Sequence, residues 1–76
     1  MVHAFTLVKT AAGQSEPLIE EIRQLESVDD AHIVAGTFDI IVEVDGPEVY
    51  DVFQAISNGV QGLEGVTDTR TYIGLD

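Results

Sequence analysis

Few side chains in this 76-residue chain have a type and a setting that invite chemistry. His3 and His32 are the only histidines, and a metal site or a general base needs companions at workable spacing. His32 has Asp29 and Asp30 nearby, but on a turn that fixes no common facing. Both histidines therefore read as residues at a sheet edge or an assembly seam, and no metal site is expected. Asp39 stands out more. It follows a short turn and sits among apolar residues in the clearest strand pattern of the chain, where a carboxylate costs stability unless water or a hydrogen bond satisfies it. Two roles fit it equally: tying down the Gly36-Thr37 turn, or facing the amino group of a ligand. Thr69 and Thr71 alternate with Arg70, either as plain strand formers or as a row of hydroxyls at an assembly seam. With 14 acids in the chain, chance carboxylate pairs are inevitable and carry no weight. No Gly-rich phosphate loop and no nucleophile elbow is present. No catalytic residue is assigned and no cofactor is expected.

The elements that would position these residues follow from periodicity. Val2–Thr10 reads as a strand with apolar groups on both faces. Ala11–Gln14 is a turn centred on Gly13. Ser15 is the expected cap of a helix whose first turn holds Glu16 and Pro17, and whose buried stripe is Leu18, Ile19, Ile22 and Leu25. Ser27–Asp30 breaks the pattern. Ala31–Ala35 reads as a second strand, Gly36-Thr37 as a tight connection, and Phe38–Val44 as the clearest strand, so the two form a hairpin. Asp45 and Glu48 have capping-box spacing before a second helix with Val49, Val52, Phe53 and Ile56 as its stripe and Val60 as an extension. Asn58-Gly59 and Gly62 end or fray that helix. Thr67–Leu75 is the last strand, with Thr67, Thr69, Thr71, Ile73 and Leu75 on one face.

The order strand, helix, strand, strand, helix, strand is the split βαβ, ferredoxin-like arrangement of the α+β class. Right-handed crossovers place both helices on one face of a four-stranded antiparallel sheet. An internal repeat agrees: Leu25-Glu26-Ser27-Val28-Asp29-Asp30 resembles Leu63-Glu64-Gly65-Val66-Thr67-Asp68, each joining a helix to the next strand, and the same offset relates Gly36 to Gly74. The helices cover one side only. The other keeps Ile41 and apolar or hydroxyl-bearing parts of the remaining strands, and a sheet this apolar on both faces meets another sheet. A dimer packed through the open sheet faces is expected.

Composition narrows the partners. One domain is all the length allows, and a chain of this size buries only roughly 60% of its unfolded surface. The absence of cysteine removes disulfides and thiolate metal sites, so self-association is the remaining way to add buried area. Acids outnumber the three bases Lys9, Arg23 and Arg70 to give a net charge of −11, yet 45% of residues are hydrophobic, which separates the chain from disordered acidic tails. Three scattered cations do not support contacts to a phosphate backbone, so direct nucleic-acid binding is excluded. The acidic, lysine-poor balance reads as adaptation to a salt-rich cytoplasm, because at molar salt the Debye length shrinks to about 3 Å and like-charge repulsion is screened. No signal peptide or apolar run of membrane-spanning length is seen, and a cytoplasmic location is the expectation.

The stretch Gly36-Thr37-Phe38-Asp39-Ile40-Ile41-Val42-Glu43-Val44 resembles the Gly-x-Tyr-Asp hairpin strand of the effector domain of the Lrp/AsnC family of transcriptional regulators. The helix end Leu25–Val28, the strand Ala31–Val34 and the closing Gly65-Val66…Thr69-Arg70-Thr71 match that domain's layout over essentially the whole chain. The resemblance implies one domain over residues 1–76 with no helix-turn-helix segment, sheet-to-sheet dimers that assemble into octamer-like rings, and amino-acid effectors bound where dimers meet. The reading drawn from it is a ligand-sensing accessory domain that self-assembles and co-assembles with full-length DNA-binding members through the same interfaces. Carried over by position, Gly36, Thr37, Phe38 and Asp39 form the loop side of the effector pocket, with Thr69 and Thr71 as candidates from the last strand. Phe38 stands where the family often has tyrosine, one hydroxyl fewer. Two other readings stay open: a small enzyme of the dimeric α+β barrel type, for which only His3 and His32 remain as bases, and an assembly module without a ligand.

Overall fold

Along Val2–Thr10 (β1) the chain alternates strictly: Ala4, Thr6 and Val8 are fully buried, while Phe5 and Lys9 are exposed and His3 and Leu7 half-buried. Period two puts the first set against the helices and the second on the opposite face. The computed structural model describes all residues 1–76. After β1 come Ser15–Arg23 (α1), Val28–Ile33 (β2), Ile40–Gly46 (β3), Val49–Ala55 (α2), a π-helical turn Ile56–Val60, and Val66–Ile73 (β4). All pairings are antiparallel and the sheet order is β2-β3-β1-β4. This is the ferredoxin-like βαββαβ fold expected from the sequence. No helix is long and apolar enough to cross a membrane.

The core is one cluster: Ala4 and Val8 from β1, Ala31 from β2, Ile40, Val42 and Val44 from β3, Leu18, Ile19 and Ile22 from α1, and Val52, Ile56 and Val60 from α2 and its π-turn. Burying each larger aliphatic side chain stabilises the fold by about 1.5–3 kcal/mol. The internal repeat reaches beyond the turn that first showed it. At the same offset Leu18 matches Ile56, Ile22 matches Val60 and Ala4 matches Val42, every one buried. Leu25 and Leu63 both pack on the core rim. Each accepts a hydrogen bond from the amide that opens the following strand, Val28 N–H to Leu25 O (3.1 Å) and Val66 N–H to Leu63 O (3.4 Å).

Several local expectations are corrected. Ser15 is the first helical residue, not the cap: Gln14 holds the cap position, and the Ser15 hydroxyl meets Thr10 Oγ1 at 3.0 Å. Asp45 does not cap the second helix. It belongs to β3, where His3 across the sheet holds its carboxylate, and Glu48 takes the cap position without a side-chain bond. β2 starts at Val28, because an irregularity between Val28 and Asp30 absorbs one residue and lets Val28 pair with Val44. β3 starts at Ile40, leaving Phe38 and Asp39 in a six-residue loop that Val34 N–H closes on Asp39 O at 2.8 Å. Instead of fraying at Asn58-Gly59, the second helix widens into the π-turn, with Gln61 N–H bonding Ile56 O at 2.9 Å. Val52, Ile56 and Val60 are its buried stripe, and Val49 and Phe53 are left half exposed. In β4, Thr69, Thr71 and Ile73 pair with Val8, Thr6 and Ala4, which places the threonine hydroxyls on the helix-covered face rather than on an open-face seam. Leu75 lies beyond the strand and is exposed.

Candidate functional site

The hairpin loop and its surroundings hold four of the residues singled out by sequence. Gly36 and Thr37 are exposed at its tip, with φ of Gly36 at 157°, and Phe38 and Asp39 are half-buried as the chain enters β3. Asp39 is pinned on three sides. Its amide donates to Val8 O (2.9 Å), its carbonyl accepts from Val34, and its Oδ2 accepts the Thr10 amide (2.8 Å) and the Thr10 hydroxyl (3.3 Å). The carboxylate thus ties the loop to the end of β1 rather than to Gly36-Thr37, while Oδ1 makes no hydrogen bond within the chain. The loop is also held from the sheet: Lys9 Nζ donates to Thr37 O at 2.9 Å, and the Arg70 guanidinium lies 5.7 Å from the centre of the Phe38 ring. Neither cation was singled out from the sequence as a loop contact, although two of only three cations in the chain falling on adjacent strands was a readable signal.

Thr69 and Thr71 lie elsewhere. β1 separates β4 from β3, and the two threonines face the helices. Thr71 Oγ1 shares a 3.0 Å hydrogen bond with buried Thr6, and Thr69 Oγ1 accepts from Gln61 Nε2 at 2.8 Å. Within one chain the loop residues and the two threonines do not line a common pocket. Thr69 instead lines a solvent-open hollow of about 200 Å³ with Gln61, Val66, Thr67 and Asp68. Gln61 follows the π-turn directly and meets the strand edge through its bond to Thr69. Sequence reasoning missed Gln61 and Asp68, because the 3.6-residue pattern gives no sign of where a widened turn ends.

The open sheet face has a pattern of its own. Register places Phe5 beside Tyr72, and Leu7 between Ile41 and Arg70. At one end His3 sits against Asp45 and Glu43, its Nδ1 bonded to Asp45 Oδ1 and its Nε2 3.2 Å from Glu43 Oε1, with the ring edge-on to Phe5. Both ring nitrogens face carboxylate oxygens, so both must carry hydrogens, and this favours the imidazolium. The Asp45 bond, with Glu43 adding to it against desolvation, raises the His3 pKa above its ordinary value. On the edge strand, Asp30 bonds His32 Nε2 and its neighbour's amide, Ala31 N–H, and both lower its pKa. Neither histidine touches the hollow.

An antiparallel split-βαβ sheet with both helices on one face and an acidic hairpin loop tied to the end of β1 defines a small ferredoxin-like α+β domain. Residues 3–76 match the Lrp/AsnC ligand binding domain, and the chain belongs to that family. The leucine-responsive regulatory proteins of Escherichia coli K12 and Klebsiella pneumoniae are each 28% identical over 71 residues, covering 93% of this chain and 43% of their own length. The chain therefore spans under half the length of these relatives. Among solved structures, a protein of Thermus thermophilus superposes with a TM-score of 0.94 at 28% identity, over 100% of this chain and 95% of its own. A hypothetical protein of Pyrococcus horikoshii gives 0.90 at 32% identity, over 99% and 90%. Escherichia coli AsnC, at 20% identity and 0.90 over 99% of this chain and 51% of its own, supports the fold.

Proposed function

We propose that this chain is a ligand-sensing, self-assembling domain of transcriptional regulation. It dimerises through the open sheet face into octamer-like rings, binds an amino-acid effector, makes no direct contact to DNA, and co-assembles with full-length regulators of its family. The observation that carries this reading is the pinned hairpin loop of a family member: Asp39 is fixed by Thr10 with Oδ1 left free, a carboxylate oriented for an ammonium group. Family membership supports self-association, as does the exposure of Phe5 and Tyr72 on the uncovered face. The hollow lined by Gln61, Asp68 and Thr69 offers a second polar surface of amino-acid size. It opens to solvent within one chain, and in this reading a neighbouring chain covers it in the assembled state. With three cations in the chain, DNA contact falls to a partner that carries the basic surface.

The test is a thermal-shift screen of the twenty amino acids in molar salt. A ligand at a hundredfold excess over Kd stabilises the native state by about 2.7 kcal/mol, and each kcal/mol moves Tm by about 4–8 °C in a domain of this size. Asp39→Ala abolishes the shift if the loop holds the effector, and Thr69→Val if the hollow does. No shift with any amino acid, from a well-folded oligomer, selects the ligand-free assembly module instead.

A further inference from the structure

Both histidines of the chain lie on the uncovered sheet face, and each is set against acids. Register puts His3 across from Asp45 and diagonal to Glu43 on β3. His32 stands across from Ile41, two residues along β2 from Asp30, which itself pairs with Glu43. Asp30, Glu43 and Asp45 thus share one end of the face. The ion pairs there are all made by histidine: His3 with Asp45 and Glu43, and His32 Nε2 with Asp30 Oδ2 at 3.0 Å. The permanent cations of the face do not replace them. Lys9 and Arg70 stand at the other end, where Asp68 pairs with Lys9, and they hold the hairpin loop through Thr37 O and the Phe38 ring. The other neighbours of His3 add no charge: Phe5 meets its ring, Tyr72 on β4 pairs with Phe5, and Gly74 donates its amide to the His3 carbonyl. The terminal residues Met1 and Asp76 lie outside β1 and β4 and are exposed. With both imidazoles protonated, the acids Asp30, Glu43, Asp45 and Asp68 are balanced on this face by Lys9, Arg70, His3 and His32. Without those protons the face is net negative. Elsewhere in a chain of net charge −11, Arg23 is the single permanent cation.

We infer that this face is proton-gated: it accepts a second copy of the chain while His3 and His32 carry protons and repels one when they are neutral. The inference rests on the open-face assembly proposed above and adds the condition under which it forms. Two facing copies bring every charge into the seam twice. A balanced face loses water with its carboxylates still paired. Neutral imidazoles leave Asp30, Glu43 and Asp45 of both copies desolvated without counter-charge, which opposes contact. Association and protonation are therefore linked. Contact strips water from the carboxylates and tightens their hold on the imidazolium, so the assembled chain binds these protons more firmly than the single chain. The Asp45 and Glu43 bonds already favour the proton on His3 in the single chain. By the same linkage, assembly is strongest at the acid end of the histidine range and weakens as pH rises through it. Salt weakens such a seam little, because ion pairs removed from water are screened far less than exposed ones.

The test measures the dimer dissociation constant of the chain by sedimentation at about pH 5 and about pH 8, on either side of the histidine range. A thermal melt at each pH checks that the chain is folded, so that lost assembly is not lost fold. The parent is expected to bind itself at least about tenfold more weakly at the higher pH. His3→Lys combined with His32→Lys keeps both positive charges throughout and is expected to hold the parent's low-pH affinity at both values. Glu43→Gln combined with Asp45→Asn is expected to reverse the trend, because the protonated face then carries the excess charge. A parent constant that is the same at both pH values overturns the gate. So does a trend that persists undiminished in either double variant. Leu7→Glu, in the middle of the face, separates this failure from that of the assembly. If that variant assembles as the parent does, or the parent is a monomer at both pH values, the open-face assembly itself fails, and this inference with it. If assembly needs Leu7 but ignores pH, the gate alone is overturned.

Discussion

The two halves of the molecule, β1–α1–β2 and β3–α2–β4, put matched residues to different uses at their outer edges. Arg23 at the end of α1 and Gln61 at the end of the π-turn are equivalent by the repeat, and each reaches a strand residue eight positions on. Arg23 donates from Nε and Nη2 to the backbone carbonyl of Ala31, at 3.2 and 3.0 Å. This satisfies the edge of β2, as edge strands require, and the half is closed there. Gln61 donates to a side chain, the Thr69 hydroxyl. The hollow opens beside that contact. One fold thus contains two versions of the same edge contact, one made to a backbone carbonyl and one to a side-chain hydroxyl.

The largest effect that bears on this comparison is in the matched core pair. Ile22→Ala removes a fully buried side chain and is expected to cost about 2–5 kcal/mol. Val60→Ala costs about 1 kcal/mol less, for one methylene fewer. Urea midpoints measure both; a larger loss at Val60 would show that the π-turn side carries the greater share of stability. Next come the two turns. Gly65 has φ of +99°, and a Cβ there would lie 3.1 Å from Leu18 Cδ1, so Gly65→Ala is expected to cost about 1–2 kcal/mol for the left-handed backbone alone. The matched Ser27 has negative φ, and Ser27→Ala is expected to stay within about 0.5 kcal/mol. A loss at Gly65 no larger than that at Ser27 would mean that neither the left-handed backbone nor the Leu18 contact carries a cost there. Arg23→Ala follows at about 1 kcal/mol, discounted because the side chain is half exposed. Gln61→Ala stays within about 0.5 kcal/mol in the unliganded chain, as calorimetric melts of the two variants should show.

What was legible in the sequence follows the same division between local and non-local causes. β1 was read with both its ends in place, since nine residues alternate without interruption, and the repeated turn was visible because Leu25/Val28 and Leu63/Val66 do the same work. The start of β2 was hidden by two acids, Asp29 and Asp30, that look like a turn until a bulge in the pairing accommodates them. Asp45 looked like a helix cap because the partner that draws it into β3 is His3, 42 residues away. The hairpin residues Gly36–Asp39 were legible as a group, whereas the contacts of Asp39 with Thr10, of Arg70 with Phe38 and of Gln61 with Thr69 depend on packing between distant segments, which periodicity does not encode.

The smallest effect separates the halves by charge rather than by packing. His3 corresponds by the repeat to Ile41, so only one half carries a titrating group at that position of the open face. The Asp45 and Glu43 bonds raise the His3 pKa in the folded chain above 6.5. A base held more firmly protonated in the native state binds more protons there than in the unfolded chain. Its contribution to stability is therefore complete below pH 6.5 and disappears as pH rises through the raised native value. Asp30 runs the other way. The His32 bond, then the Ala31 amide, lower its pKa below 3.8, so its contribution is complete above that pH and is lost as pH falls through the lowered native value. Tm should accordingly be highest between these limits, with a shallow alkaline decline that His3→Gln removes and an acid limb that Asp30→Asn reduces. Both side chains are more than a third exposed in the single chain, so the declines are expected to be small and to weaken further with salt. If the alkaline decline persists unchanged in His3→Gln, the charged contact at that corner of the sheet is not what titrates.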